Sequence, residues 1–120
     1  MHKLLFVEDS QLLLRTTTAF LAMHEFDIIT AENGIDAFEK TQKIDGLKII
    51  VTDIEMPEMD GIELIQKVRA GDRYPRIPII VRTSAKEKLQ AAIKAGATGW
   101  VLKQSTDESD ELLKTINKLI

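Results

Sequence analysis

At 120 residues, with 44% apolar and 29% charged side chains, the chain fits one compact domain with a modest core, and residues 1–120 are read as a single unit. It has no cysteine, which excludes a disulfide framework and a thiolate metal site and suits a cytosolic protein. The net charge of −3 divides unevenly: residues 1–60 carry 5 Lys/Arg against 12 Asp/Glu, and residues 61–120 carry 11 against 7, so an acidic site fits the first half and the basic footprint of a nucleic-acid binder is missing.

The opening segment "MHKLLFVEDS" holds four consecutive apolar residues before acids begin. That run is too short for a secretion signal or a membrane span, so a cytoplasmic protein with neither membrane nor direct nucleic-acid partner is expected. A first strand is predicted over residues 3–7. A helix over about 10–23 follows, with Ser10 as N-cap chemistry and Leu13, Phe20 and Leu21 as its buried stripe, weakened slightly by three threonines. The second strand is predicted over 27–31. After a turn at Asn33-Gly34, a helix over 34–43 turns Ile35, Ala37 and Phe38 inward. The third strand covers 48–52 and runs into a Met-Pro loop, and the helix over 61–70 uses Ile62, Ile65 and Val68.

Gly71-Asp72 marks another turn, and Pro75 and Pro78 bracket the start of a fourth strand over 78–82. Arg82 is unusual within that apolar run and is expected to point outward or lie at the sheet edge. The helix over 86–95 is lysine-rich and short of large apolar residues, so it should be the least firmly packed, with Gly96 as its C-terminal cap. A fifth strand covers 99–102. The last helix is predicted to start at Thr106 or Asp107 and run to Leu119, with acids early and lysines late to match the helix dipole. His2 and His24 have no partner at ligand spacing and read as surface residues. Strands alternating with helices define an α/β domain with a doubly wound, five-stranded parallel sheet, and nothing remains for an output domain.

Each apolar run stops at a functional group: "FVED", "IIVTD", "IIVRT" and "GWVLK". Open parallel sheets bind ligands outside the carboxyl ends of their strands, where the strand order reverses. Glu8, Asp9 and Asp53 would therefore face Thr83 and Lys103. Each pair of like charges at ~4 Å costs on the order of 4 kcal/mol at an effective dielectric of ~20, so the acids need cations beside them. Lys103 is one. A hard divalent ion such as Mg²⁺ would be another, leaving a carboxylate able to attack phosphorus and form an acyl phosphate.

The motifs "VEDS", "VTDIEMPEMDG", "VRTSA" and "GATGWVLK", in that order and spacing, resemble those of response-regulator receiver domains of two-component signalling, and the resemblance covers the whole chain. It implies a flavodoxin-like fold with strand order 2-1-3-4-5. By the same resemblance Asp53 is the phosphoacceptor. Mg²⁺, with Mn²⁺ as the alternative, would be held by Asp9 directly, Glu8 partly through water, Asp53 and the backbone carbonyl of Glu55, while Pro57 and Gly61 shape the loop. Lys103 would pair with one phosphoryl oxygen and Thr83 would move to bond another. Trp100 would fill the space Thr83 leaves and report the change to the face of helix four, strand five and helix five. That place usually holds Tyr or Phe.

Glu55, Ser84 and Ala85 would tune phosphoryl lifetime. Gln104 replaces a usual proline, so a trans peptide and a rearranged loop are expected there. The implied partners are a sensor histidine kinase or histidine phosphotransfer protein upstream and a protein target downstream, with lysines 86, 88 and 94 near that contact. A stand-alone, monomeric signalling module is expected, with phosphorylation-linked dimers as the alternative state. Two other readings stay open: a receiver cut from a longer regulator, and an aspartyl-phosphate phosphohydrolase, for which Glu55 is a poor second acid. A flavodoxin-like nucleotide site is weaker because no glycine-rich turn follows the first strand.

Overall fold

The computed structural model describes residues 1–103 and 108–120. Strands β1 (His2–Val7), β2 (Phe26–Ala31), β3 (Leu47–Thr52), β4 (Ile79–Thr83) and β5 (Gly99–Leu102) alternate with helices α1 (Gln11–Ala22), α2 (Gly34–Lys43), α3 (Gly61–Ala70), α4 (Leu89–Ala95) and α5 (Glu108–Leu119). A single 3-10 turn at Lys86–Lys88 leads into α4. The strands form one parallel sheet in the order β2-β1-β3-β4-β5.

The near-continuous apolar runs are used on both faces, because successive side chains in a strand point opposite ways. Leu4, Phe6, Ile49, Val51, Ile80 and Val101 pack with Leu21 of α1 and Leu112 and Ile116 of α5. Leu5, Val7, Ile50, Ile79 and Val81 face the other way, onto Ala37 of α2, Leu64, Ile65 and Val68 of α3 and Ala92 of α4. Helix starts follow from local chemistry: Ser10, Asn33 and Asp60 each accept a backbone N–H three residues on, capping α1, α2 and α3. Gly96 ends α4 at φ 123, a conformation that favours glycine.

Several local expectations shift. Thr17 is buried with Leu21 on α1, whereas Leu13 and Phe20 are only partly buried. Ile35 on α2 is exposed rather than inward. Asn33 serves as a helix cap instead of a simple turn residue. β4 begins and ends one residue later than predicted, which brings Thr83 into the ladder opposite Leu102. α4 proper is only seven residues with Ala92 as its buried side chain, in keeping with a weakly packed element. The predicted start of the last helix at Thr106 or Asp107 and the trans peptide before Gln104 fall outside the described residues. No described helix is long and apolar enough to cross a membrane.

Arg82 requires a full correction. β4 lies between β3 and β5, so it is no sheet edge, and Arg82 is only 3% exposed. Two residues after Ile80, it points to the α1/α5 face, where its Nε donates to Glu108 Oε1 and its guanidinium lies 5.5 Å from the Phe6 ring centroid. A charge can be buried here because carboxylates come to meet it. His2 and His24 are exposed as expected.

Candidate functional site

Register explains why distant residues meet. β1 pairs with β3 so that Val7 lies opposite Thr52, and the residues that follow, Glu8 and Asp53, leave the sheet side by side. The Asp53 N–H donates to the Val7 carbonyl at 3.2 Å. On the other side Thr83 lies opposite Leu102, and the Lys103 N–H donates to the Thr83 carbonyl at 3.0 Å. All of these are at the carboxyl edge of the sheet, at the β1/β3 strand-order reversal and beside it.

Lys103 closes the group. Its Nζ lies 2.6 Å from Asp53 Oδ2 and 2.8 Å from Glu8 Oε1. The second oxygen of Asp53, Oδ1, accepts the Ile54 N–H at 2.7 Å, and Glu8 Oε2 accepts the Ser10 N–H at 3.1 Å. Glu8 is 1% exposed and Asp53 7%, while neighbouring Asp9 is exposed. One carboxylate oxygen from each of the three lies within 4.8 Å of the others.

The electrostatics show a site short of positive charge. Burial raises the Glu8 pKa above its ordinary value, and the Lys103 and Ser10 hydrogen bonds offset this only in part. Burial opposes the Lys103 ammonium, but hydrogen bonds to Asp53 and Glu8 outweigh it and its pKa rises. Counting Glu8, Asp9, Asp53 and Glu108 against Lys103 and Arg82 leaves four acids and two cations, a deficit that one divalent ion would balance. The donor set fits such an ion: close carboxylate oxygens are hard ligands, and exposed Asp9 leaves a side open to water.

The remaining predicted residues divide into near and far. Thr83 is buried and its hydroxyl accepts the Ala85 N–H at 3.0 Å. Ala85 is buried and Ser84 exposed. Glu55 directs its side chain away, to Lys88 at 3.1 Å, across a shallow depression of about 340 Å³ that Asp9, Met56 and Pro57 also line. Trp100, on edge strand β5, is 50% exposed and borders a groove with Thr98, Thr115 and Leu119, so it does not occupy an internal space beside β5 in this conformation. Sequence reading missed Arg82 as a neighbour of the site: its Nη1 lies 3.8 Å from Glu8 Oε1. The available signal was a charge inside a strand with apolar neighbours, together with an acidic segment downstream to receive it.

Gly61 sets the loop that carries Asp53. A Cβ there would lie 2.1 Å from the Asp53 carbonyl oxygen and 2.9 Å from Ile54 Cα, and the Gly61 N–H donates to the Ile54 carbonyl at 2.8 Å. These are backbone atoms that cannot swing aside. Gly61→Ala is expected to lower unfolding free energy by ~1–3 kcal/mol, read as an earlier urea midpoint. An unchanged midpoint would show that the loop can move freely.

The family model for the response regulator receiver domain matches residues 4–117. Chemotaxis protein CheY1 of Helicobacter pylori is 38% identical over 109 residues, covering 88% of each chain. Among solved structures, the chemotaxis response regulator CheY4 of Vibrio cholerae superposes with a TM-score of 0.90 at 33% identity, covering 100% of this chain and 99% of that one. The response regulator TrrA of Thermotoga maritima, solved in complex with Mg²⁺ and BeF, gives a TM-score of 0.88 at 27% identity with 100% of both chains covered.

Proposed function

The chain belongs to the response regulator receiver domain family, and we propose that it acts as a switch whose Asp53 accepts a phosphoryl group from a phosphohistidine of a sensor histidine kinase or histidine phosphotransfer protein. The observation that carries this reading is the Asp53 carboxylate at the strand-order reversal, largely buried, bound by Lys103 at 2.6 Å and flanked by two further acids.

In the transfer, a carboxylate oxygen of Asp53 attacks phosphorus, the P–N bond to the donor imidazole breaks, and the imidazole leaves. Ile54 N–H holds Asp53 Oδ1 in place throughout. Lys103 follows the new charge onto a phosphoryl oxygen, and the Thr83 hydroxyl turns from its contact with Ala85 to donate to another. Asp9, Asp53 and the Glu55 carbonyl would hold Mg²⁺ or Mn²⁺, with Glu8 reaching it through water, and the ion supplies positive charge to the phosphoryl oxygens. Glu55, Ser84 and Ala85 border the approach of hydrolytic water and tune the lifetime of the acyl phosphate. The protein is a signalling component, with self-catalysed transfer and dephosphorylation as its own chemistry.

The output face in this reading is α4, β5 and α5, where a downstream protein docks and where Lys86, Lys88 and Lys94 lie on or beside α4. The single domain works alone in the cytoplasm as a monomer, without nucleic-acid or membrane contact; the matching span of the Helicobacter pylori relative supports the stand-alone reading. Trp100 is the chain's one tryptophan, so its fluorescence reports this face selectively. Loading the site is expected to turn Trp100 inward and change its emission. Unchanged emission on loading would remove it from the switch.

The deciding experiment is intact mass after incubation with acetyl phosphate, with and without Mg²⁺. One Mg²⁺-dependent phosphoryl adduct is expected. No adduct, together with no Mg²⁺ binding, would overturn the proposal in favour of a receiver-shaped module that works by constitutive contact.

A further inference from the structure

We propose that Arg82 is a positioning residue that shares Glu8 with Lys103 and, through Glu108, ties the state of Asp53 to the first turn of α5. The inference rests on the phosphoacceptor reading of Asp53, and it starts from a buried guanidinium that this reading does not use.

Arg82 and Glu8 are both almost wholly enclosed. Glu8 is fixed at one oxygen, where Oε2 accepts the Ser10 N–H. Its other oxygen, Oε1, stands between two cations, Lys103 at 2.8 Å and Arg82 Nη1 at 3.8 Å. Arg82 Nη1 has no hydrogen-bond partner among the described residues. A buried donor lying just beyond bonding distance of a carboxylate is a contact waiting to close, because leaving such a group unpaired is costly. The opposite edge of the same guanidinium is already committed: Nε holds Glu108 at the start of α5.

Lys103 divides itself between Asp53 and Glu8. A phosphoryl group on Asp53 adds negative charge and draws Lys103 towards it. Glu8 then loses its nearer cation, and Arg82 Nη1 moves in to replace it. Because the guanidinium is planar and moves as one piece, Nη1 cannot advance on Glu8 without turning or shifting the Nε–H, so Glu108 is pulled or released. The first turn of α5 moves with it. This route to α5 runs through the β4 side chain on the α1/α5 face and is separate from the Thr83 and Trp100 route along β5.

The test compares backbone amide NMR shifts in the full chain before and after adding Mg²⁺ with beryllium fluoride as the phosphoryl mimic. The Ile54 amide, bonded to Asp53, reports loading, and the amides of Glu108 to Leu112 report α5. In the wild-type protein both sets should shift. In Arg82→Met and in Glu108→Ala, Ile54 should still shift while the α5 response is lost, and Arg82→Lys, which keeps the charge but not the planar fork, should lose most of it as well.

An undiminished α5 response in Arg82→Met and Glu108→Ala would overturn the proposal. So would an Arg82→Lys protein with the full wild-type response, since charge alone, without the planar fork, would then carry the effect. If Arg82→Met does not fold, Glu108→Ala decides alone, because it leaves Arg82 in place. A silent Ile54 in the wild-type protein would overturn the phosphoacceptor reading itself, and this proposal with it.

Discussion

Replacing Asp53 by Asn is expected to abolish the phosphoryl adduct formed with acetyl phosphate and Mg²⁺, a complete loss by intact mass. Asn has nearly the same shape and can still accept the Ile54 N–H, so the loop after β3 should keep its course. What disappears is the anionic oxygen that attacks phosphorus, since an amide oxygen is a far weaker nucleophile. Lys103 loses one of its two carboxylate partners and keeps Glu8. Mg²⁺ affinity should fall as well, because one of three clustered carboxylates becomes neutral. Unchanged circular dichroism would separate loss of chemistry from loss of fold. An adduct of the same mass on the Asp53→Asn protein would place the phosphoacceptor elsewhere.

Arg82→Met is expected to cost about 3–5 kcal/mol of unfolding free energy, the range for removing one partner of a buried ion pair. Met fills much of the arginine stem's volume, so the loss measures charge rather than a cavity. Glu108 would lose its buried cation and Glu8 one of two. Two controls identify the cause. The double variant Arg82→Met, Glu108→Gln should recover part of the loss, because the stranded carboxylate is gone.

The deficit should also shrink in acid. Burial already raises the folded-state pKa of Glu8 above 4.5, and a carboxyl with a raised folded pKa favours folding at low pH and opposes it as pH rises through that value. Protonation below that range removes the charge that Arg82 would have balanced. Urea unfolding at neutral and acid pH measures both effects. A neutral-pH midpoint equal to wild type would mean that solvent, not Arg82, balances the two acids.

The site was legible from the strand ends because an open parallel sheet collects whatever follows each strand at one edge. Glu8, Asp9, Asp53, Thr83 and Lys103 could be picked out as the residues at which apolar runs stop. Their pairing could not. That Lys103 would bind both Asp53 and Glu8, 50 residues away in the first case, depends on the register of four strands. Glu55 and Trp100 show the same limit at the rim, where side chains that adjoin the site in sequence turn away from it, one to Lys88 and the other toward solvent.

Arg82 marks the boundary most clearly. A charge in an apolar strand reads as a solvent-facing residue or an edge, because the isolated strand offers nothing to balance it. Its partner Glu108 lies 26 residues on and reaches it only when α5 packs across the sheet. By itself the sequence determined the order of strands and helices, the cap at Ser10, and the acids and lysine at the strand ends. These rest on side-chain periodicity and hydrogen bonds spanning a few residues. Only the tertiary structure decided which cation meets which acid and how deeply Arg82 and Glu8 are buried. Coulomb energy and desolvation depend on distances between segments far apart in the chain, and those distances exist only once the sheet and its helices have assembled.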